Sequence, residues 1–180
     1  MIKRAFDFVF SLFGLLLLSP ILIIVSILIK INSKGGVFYN QIRVGKDNKD
    51  FKIYKFRTMH VNADELGLLT VGNRDPRITS VGYYLRQSKL DELPQLINVL
   101  IGNMSFVGPR PEVRKYVSLY SQEQLKVLMI KPGVTDLASI EFRNENRILN
   151  QESDPDTYYV EVIMPKKIKL NINYIKNRSL

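Results

Sequence analysis

The residues best placed to do chemistry are two adjacent acids, Asp91 and Glu92, followed by Pro94. Proline is favoured in the first turn of a helix and disfavoured deeper inside it, so a helix is predicted to begin near Leu93. Both carboxylates would then lie at the positive end of the helix, which stabilises their ionised forms. Acidic residues at a helix start are also a common stabilising feature. The pair by itself therefore leaves a structural and a functional interpretation open.

Basic residues recur in the segments that are predicted to be extended or looped. Arg110 stands between two prolines, whose rings fix the backbone beside its guanidinium. A guanidinium suits bidentate contact with phosphate oxygens. A single surface Arg is usually solvated, so the argument rests on the set and on its combination with the acidic pair. The other candidates for phosphate contact are Lys55, Arg57, Arg74, Arg77 and Arg86.

Composition narrows the chemistry further. The chain has 180 residues, no Cys and a single His, His60, which excludes disulfides, thiolate nucleophiles and metal sites built on Cys or on several His. Any metal must sit on oxygen ligands, which favours Mg²⁺. With 26 Lys and Arg against 17 Asp and Glu, the formal charge is +9. That excess indicates an anionic partner: nucleic acid, a membrane surface or phosphates.

An apolar segment near the N-terminus must help to place this site. Residues 8–29 carry no charge, and a straight helix of that length would reach roughly 33 Å, enough to cross a hydrocarbon core of about 30 Å. Ser19-Pro20 divides the segment near its middle, and basic residues flank both ends. Because the positive-inside tendency holds both flanks on the cytoplasmic side, the sequence favours a helix–break–helix that enters one leaflet and returns. The Ser19 hydroxyl could cap a carbonyl freed at the break.

Other interpretations of this segment stay open. A straight span is compatible with its length, because proline is tolerated in transmembrane helices. A buried helix of a soluble core is a second alternative. A signal peptide is a third, although the segment is long and lacks an Ala-x-Ala-like cleavage site. Lys3 and Arg4 are expected either to hold a lipid headgroup or to act only as topology determinants.

The residues after the apolar segment predict a small mixed domain. Extended segments over 37–44 and 51–59 flank a polar turn and predict a hairpin. A helix is predicted over 90–101 and is ended by Gly102-Asn103. The other predicted elements are a loop over 62–77, a loop over 105–111, a helix over 112–130 that restarts at the capping box Ser121-x-x-Gln124, and an extended segment over 134–142.

The C-terminal residues 156–175 form a basic amphipathic pattern with several lysines on or beside it. Such a segment is suited to lie on an anionic leaflet. The alternative is an ordinary surface helix that packs on its own domain.

Several motifs, taken together, resemble the bacterial sugar transferases known as monotopic phosphoglycosyl transferases, which start the assembly of polyprenyl-linked glycans. The likeness covers nearly the whole chain, in order and at family-like spacing, and is closest to the small single-domain form. The motifs are Lys3-Arg4 with Asp7, Ser19-Pro20, Gln41-Ile42-Arg43-Val44-Gly45, Lys55-Phe56-Arg57-Thr58-Met59, Asp75-Pro76-Arg77-Ile78-Thr79, Leu90-Asp91-Glu92-Leu93-Pro94-Gln95-Leu96, Ser105-Phe106-Val107-Gly108-Pro109-Arg110-Pro111 and Lys131-Pro132-Gly133-Val134-Thr135.

That resemblance implies a reaction. A nucleotide diphosphate sugar, usually a UDP-sugar, would give its phosphosugar to polyprenol phosphate, leaving a polyprenyl diphosphate sugar and UMP. Asp91 matches the family's nucleophile, which forms a covalent aspartyl phosphosugar. Glu92, together with Asp91, would hold Mg²⁺, and Arg110 would contact a substrate phosphate. The further basic residues expected at the phosphates are Lys55, Arg57, Arg77 and Arg86.

The expected fold is α/β in a loose sense, mostly helical with a small β-hairpin or sheet. Residues 1–34 would form the re-entrant membrane hairpin, and residues 35–180 a cytoplasmic catalytic domain with amphipathic helices on the membrane surface. The expected location is the cytoplasmic face of the bacterial inner membrane, with both flanks of the apolar segment cytoplasmic. The expected partners are a nucleotide diphosphate sugar, polyprenol phosphate and an anionic membrane, without nucleic acid; a homodimer is left open.

The sequence departs from the family pattern in two places. Family members often have Gly-x-Thr-Gly-Trp-Ala where this chain has Gly133-Val134-Thr135-Asp136-Leu137-Ala138, which leaves the nucleotide or sugar contacts of that segment open. Many relatives also continue beyond the Asn-Arg-Ser of residues 177–179, which leaves open whether this is a shortened form or a truncated chain. Neither departure touches Asp91, Glu92 or Arg110.

Other classes of protein remain as alternatives. A membrane-tethered scaffold could use the positive charge on anionic lipid and would need no acidic pair. A tethered nucleic-acid binder is compatible with the charge, but the sequence shows no recognised nucleic-acid-binding signature. A glycosidase is a weaker alternative, since adjacent side chains could not readily flank a sugar ring at the needed separation of about 5–9 Å.

Overall fold

A computed structural model describes residues 2–63 and 75–177, in which the chain is mostly helical with two small two-stranded sheets. This agrees with the fold class predicted from the sequence. The loop predicted over 62–77, including Arg74, lies largely outside the described residues. The helices are α1 (Ile2–Asn32), α2 (Ser80–Ser88), α3 (Gln95–Ile101), α4 (Arg114–Val117), α5 (Leu137–Glu141), α6 (Glu145–Leu149), α7 (Pro155–Tyr158) and α8 (Met164–Asn177). The strands are β1 (Phe38–Val44), β2 (Asp50–Phe56), β3 (Ser105–Val107) and β4 (Gly133–Thr135).

The apolar N-terminal segment forms one continuous helix, α1, with Pro20 inside it. The break predicted at Ser19-Pro20 therefore does not interrupt the secondary structure. Pro20 has no N–H to bond the carbonyl of Leu16, four residues earlier. The Ser19 hydroxyl donates to that same carbonyl at 2.8 Å, which confirms the predicted capping role of Ser19 and explains how the helix tolerates the proline. By length and composition, α1 could cross a membrane.

The N-terminal end of α1 is tied to the rest of the domain by its basic residues. Arg4 donates to the carbonyls of Val99 and Leu100 at 2.6 and 2.7 Å, which are among the last carbonyls of α3. Lys3 donates to the carbonyl of Val107 at 2.8 Å. A cation at the C-terminal end of a helix also complements its dipole. These side chains thus dock α1 on the domain.

Asp7 completes this attachment from a buried position. Its side chain, only 3% exposed, accepts hydrogen bonds from the Ser105 hydroxyl at 3.1 Å and from the Phe106 amide at 3.2 Å. A buried carboxylate is costly unless it is bonded in this way. The start of α1 is therefore fixed against strand β3.

The C-terminal end of α1 packs on the same domain through apolar contacts. Val25 and Ile29 are buried in a cluster with Phe56 of β2 and Leu85 of α2. Between the two ends, the helix exposes a run of large apolar side chains that the domain does not cover. They include Leu16, Leu17, Ile21, Ile23, Ile24 and Ile27.

Strands β1 and β2 form the predicted antiparallel hairpin, with Phe38 opposite Phe56 and Val44 opposite Asp50. Helix α3 lies against β2 through Asn98, whose side chain accepts from the Tyr54 amide at 2.9 Å and donates to the Lys52 carbonyl at 2.7 Å. The end of α3 at Gly102, which adopts φ +92°, also agrees with the sequence, since glycine tolerates this conformation.

The predictions for three later segments are corrected by the structure. Residues 105–107 form β3 rather than loop, because they pair with β4 in parallel. The helix predicted over 112–130, with a restart at Ser121, is instead the short α4 and a 3₁₀ turn at Gln124–Met129. The capping box between Ser121 and Gln124 forms as predicted. The extended segment predicted over 134–142 stops at Thr135, where Asp136 caps α5.

The amphipathic C-terminal segment packs on its own domain, which was the alternative left open by its sequence. Ile163, Met164 and Ile168 are buried in the largest apolar cluster, together with Tyr116 and Leu149. The pattern runs through α7, a π-helical turn at Tyr159–Ile163 and α8. Its apolar face is therefore occupied by the core rather than free for lipid.

Strands β3 and β4 are joined through a close approach of two glycines. The Gly108 amide donates to the Thr135 carbonyl at 3.1 Å, and the Gly133 amide donates to the Pro109 carbonyl at 2.9 Å. A Cβ atom added at Gly133 would lie 2.1 Å from the Gly108 nitrogen, which no backbone can accommodate without moving. This contact fixes the loop that follows β3.

We expect Gly133→Ala to lower the free energy of unfolding by about 1–3 kcal/mol, since the added methyl must push two backbone segments apart. Thermal unfolding in detergent measures this. Gly36→Ala is the matched control, because a Cβ there meets only the Phe38 carbonyl at 3.7 Å. Equal unfolding temperatures for the two variants would show that the glycine contact is unimportant.

Candidate active site

The acidic pair lies where the sequence predicts, at the start of a helical run. Leu90–Glu92 forms a 3₁₀ turn, Leu93 and Pro94 continue in helical conformation, and α3 follows from Gln95. Lys89, with φ +59°, ends α2 and turns the chain into this run. Asp91 is 8% exposed, so the turn presents the acids to the interior of a site rather than to bulk solvent.

Glu92 is shared between two cations from different parts of the chain. Its Oε1 accepts from Lys55 Nζ of β2 at 3.1 Å, and its Oε2 accepts from an Arg110 nitrogen at 3.2 Å. The second terminal nitrogen of Arg110 also donates to Oε1, so the guanidinium makes a bidentate contact with the carboxylate. The structure therefore brings together Lys55, Asp91, Glu92 and Arg110, four of the residues selected from the sequence.

The electrostatics of this cluster follow from burial and proximity. Burial lowers the pKa of Lys55, the Arg110 guanidinium lowers it further, and Glu92 only partly opposes them, so that it falls to about 8. Burial alone would raise the pKa of Glu92, but Lys55 and Arg110 hold it well below its usual range. Glu92 is thus ionised throughout the physiological pH range. Lys55, with a pKa of about 8, titrates close to that pH range.

The pKa of Asp91 is shifted in the opposite direction to that of Glu92. Burial raises its pKa, and the adjacent charge of Glu92 raises it further, against the opposing effects of Lys55 and Arg86. Within the described part of the chain, its Oδ1 atom has no hydrogen-bond partner and is closed to solvent. A buried carboxylate that is left unpartnered costs stability. Such a group marks a candidate functional residue.

The loop that carries Arg110 is held from behind by Asp136. The Arg110 amide donates to Asp136 Oδ2 at 3.1 Å, and Asn171 Nδ2 of α8 donates to the same oxygen at 2.8 Å. Asp136 Oδ1 accepts from the Ser139 amide at 2.7 Å as the cap of α5. Asp136 was singled out in the sequence only as a departure from the family pattern. Its positioning role depends on contacts 26 and 35 residues away, which no local pattern reveals.

A cavity of about 160 Å³ adjoins the same loop. Its charged groups are paired, with Arg43 bonded to Glu112 at 3.0 Å and Lys167 bonded to Glu145 at 2.7 Å. It is large enough for a single sugar ring or base, and it adjoins Arg110. Its lining includes Gln41, Arg43, Arg110, Glu112, Tyr120, Tyr159, Lys167 and Asn171.

The other basic candidates lie around the cluster or apart from it. Arg86 is near enough to lower the pKa of Asp91 by its charge. Arg77 forms a bidentate pair with Asp75, and this pairing lowers the pKa of Asp75. Arg57 is buried and donates to the carbonyls of Ser33, at 2.9 Å, and Lys34. The structure therefore uses Arg57 to hold the end of α1 and does not place it in the cluster.

The carboxylates were also expected to hold Mg²⁺. Across residues 2–63 and 75–177, no group of three or more acidic or His side chains is arranged as a metal site. Mg²⁺ commonly uses only one or two carboxylates and takes its other ligands from water and substrate phosphates. Asp91 fits that pattern, because no cation among the described residues bonds its carboxylate. Both oxygens of Glu92 are bonded to Lys55 and Arg110, so Glu92 would join Asp91 as a ligand only by exchanging one of these contacts for Mg²⁺.

Comparison with known proteins gives the family. The model of the family described as Bacterial sugar transferase matches residues 1–180, and the chain belongs to this family. It is 37% identical over 184 residues to the UDP-glucose:undecaprenyl-phosphate glucose-1-phosphate transferase of Escherichia coli (strain K12), covering 100% of this chain and 37% of that protein. The resemblance drawn from the motifs is thereby confirmed.

Two further relatives support the same assignment. The chain is 37% identical over 182 residues to the UDP-N-acetylgalactosamine-undecaprenyl-phosphate N-acetylgalactosaminephosphotransferase of Aeromonas hydrophila, covering 99% of this chain and 40% of that protein. It is 38% identical over 176 residues to the exopolysaccharide production protein ExoY of Rhizobium meliloti (strain 1021), covering 89% and 77%. The chain spans about two fifths of the length of the first two relatives.

We expect Glu92→Gln to lower the pKa of Lys55 below its present value of about 8, because the substitution removes a carboxylate that favours the ammonium form. Lys55 would then be mainly neutral at pH 8. An NMR titration of lysine Cε resonances measures the midpoint, with Lys55→Arg used to assign the signal.

Glu123→Gln is the control for this titration, since Glu123 pairs with Lys126 on an exposed surface. It should leave the Lys55 midpoint unchanged. A midpoint that rises or stays fixed in Glu92→Gln would contradict the coupling between the two side chains.

Proposed function

We propose that this chain transfers a sugar 1-phosphate from a UDP-sugar to a polyprenol phosphate, giving a polyprenyl diphosphate sugar and UMP. The observation that carries the proposal is Asp91, a buried carboxylate without a hydrogen-bond partner at Oδ1 among the described residues, next to a cluster of cations. Membership of the sugar transferase family and the names of the relatives support the same substrates.

In the first proposed step, a carboxylate oxygen of Asp91 attacks the sugar-side phosphorus of the donor. A bond forms between Asp91 and phosphorus, the bond from phosphorus to the bridging oxygen breaks, and UMP leaves with that electron pair. Two like charges at 4 Å repel by about 4 kcal/mol at an effective dielectric near 20. Arg110, Lys55 and Arg86 would offset this repulsion and the charge on the leaving group.

In the second step, a phosphate oxygen of the polyprenol phosphate attacks the aspartyl phosphosugar. The new bond gives the diphosphate product, and the bond between Asp91 and phosphorus breaks, which restores the carboxylate. The covalent intermediate lets one site receive a soluble donor and then a lipid acceptor. Asp91 and Glu92 would hold Mg²⁺, which when bound supplies positive charge to the diphosphate.

We also propose that α1, bent at Ser19-Pro20, enters one leaflet and returns, so that both flanks lie on the cytoplasmic face. A proline inside a helix can bend it without ending it. Its two ends support this arrangement, because Arg4 and Asp7 at one end and Ile29 at the other contact the same domain. A domain on one side of a bilayer cannot hold both ends of a spanning helix. The apolar side chains exposed between them would lie in lipid, which would keep Asp91 near the acceptor's phosphate. Lys3, which is exposed and uses one donor on Val107, is also proposed to reach lipid headgroups.

The test of the reaction uses the purified chain in nanodiscs with Mg²⁺ and a panel of UDP-sugars, without acceptor. Intact-protein mass spectrometry should detect a phosphosugar adduct on the wild type and none on Asp91→Asn, which keeps the shape of the side chain without its nucleophilic charge. Removing Mg²⁺ with EDTA should also prevent the adduct. Absence of an adduct with every donor, together with no UMP release when polyprenol phosphate is added, would falsify the proposal.

The topology is tested with single cysteines, which the chain otherwise lacks. Ile2→Cys and Gly36→Cys place a thiol on each flank of α1 at exposed positions. A membrane-impermeant maleimide should label both variants in lysed spheroplasts and neither in intact ones. If one of the two were labelled in intact spheroplasts, α1 would span the bilayer.

A further inference from the structure

Helix α3 carries two buried carboxamides that differ sharply in how they are bonded. Asn98 is 0% exposed and bonds β2 with both ends of its side chain. Gln95, one turn earlier, is 1% exposed, yet neither its Nε2 nor its Oε1 has a hydrogen-bond partner among the described residues. Burying an unpaired carboxamide costs stability that an apolar side chain of the same shape would not cost. The hydrogen bonds to β2 therefore account for a buried carboxamide at Asn98. No hydrogen bond among the described residues accounts for one at Gln95.

A possible hydrogen-bond acceptor for Gln95 lies one helical turn away, on Asp91. Asp91 lies four residues earlier on the same helical run, so both side chains project from one side of it. Asp91 Oδ1 is likewise closed to solvent and unpartnered within the described residues. Gln and Asp side chains four residues apart on a helix form hydrogen bonds. A donor and an acceptor, both buried and both unpaired within the described residues, thus lie one helical turn apart.

We infer that Gln95 is a positioning residue for Asp91 in the reaction proposed above. Gln95 Nε2 and Asp91 Oδ1 are not hydrogen-bonded to each other in this structure. With the donor bound, a change in the Gln95 side-chain torsions would bring Nε2–H to Asp91 Oδ1, since catalytic hydrogen bonds often tighten only in the complex. That bond would hold the carboxylate so that Oδ2 faces the donor phosphorus. Fixing one oxygen removes rotation of the carboxylate and leaves one oxygen committed to attack. Because Gln95 acts through Asp91, it affects the rate of the covalent step and leaves the binding of the donor unaffected. This inference rests on the proposed function.

The experiment compares Gln95→Met with the wild type in the adduct assay, following the rate of phosphosugar transfer to the protein across donor concentrations. Methionine keeps the volume but has no strong hydrogen-bonding group. We expect the rate at saturating donor to fall by roughly tenfold to a hundredfold, with no change in the donor concentration that gives half the maximal rate. Thermal unfolding should show an unchanged or higher midpoint, because an unpaired polar group has been removed from the interior.

Asn98→Leu serves as the matched control, since it removes the fully bonded carboxamide of the same helix and should lower the unfolding midpoint. The inference is overturned if Gln95→Met reacts within twofold of the wild type, or if its unfolding midpoint falls as it does in Asn98→Leu. A wild type that forms no adduct overturns the proposed function and this inference together. A reactive wild type beside an equally reactive Gln95→Met overturns this inference alone.

Discussion

The site depends on one carboxylate, Glu92, which is held between Lys55 and Arg110. The three residues come from the 3₁₀ turn before α3, from strand β2 and from the loop after β3. Each cation is partly buried and would be costly there without the shared anion. The same contact therefore joins three segments of the chain and gathers positive charge around Asp91. Among the described residues, it also leaves Asp91 as the carboxylate of the pair that no ion pair engages.

Asp91 and Glu92 are adjacent in the chain, but their different environments shift their pKa values in opposite directions. Glu92 gives its oxygens to two cations, which favour its ionised form and lower its pKa. Burial and the adjacent charge of Glu92 raise the pKa of Asp91. Its Oδ1 has no hydrogen-bond partner in the described residues. Neighbouring carboxylates with opposite shifts suit different roles in one reaction. In the proposed function Asp91 is the nucleophile, and Glu92 holds Lys55 and Arg110 beside it.

Helix α1 connects this site to its proposed place at a membrane. Its first turns are bonded to α3 and β3 through Arg4 and Asp7, and its last turns are buried against β2 and α2. The same α3 and β2 position Asp91, Glu92 and Lys55, so the helix and the site share one framework. A re-entrant α1 would set the height of the site above the lipid through these contacts rather than through a flexible linker.

Much of this protein could be predicted from its sequence, because the signals were local. The hairpin, the helix that follows Asp91 and Glu92 and the capping of a carbonyl by Ser19 each depend on residues within a few positions of one another. The motifs also identified the family. The tertiary structure decided the rest, because it depends on contacts between distant residues. Only the fold shows that Arg57 holds the end of α1 and that Asp136 supports Arg110. Only the fold shows that the amphipathic C-terminal segment faces its own core, since periodicity identifies an apolar face but not what covers it.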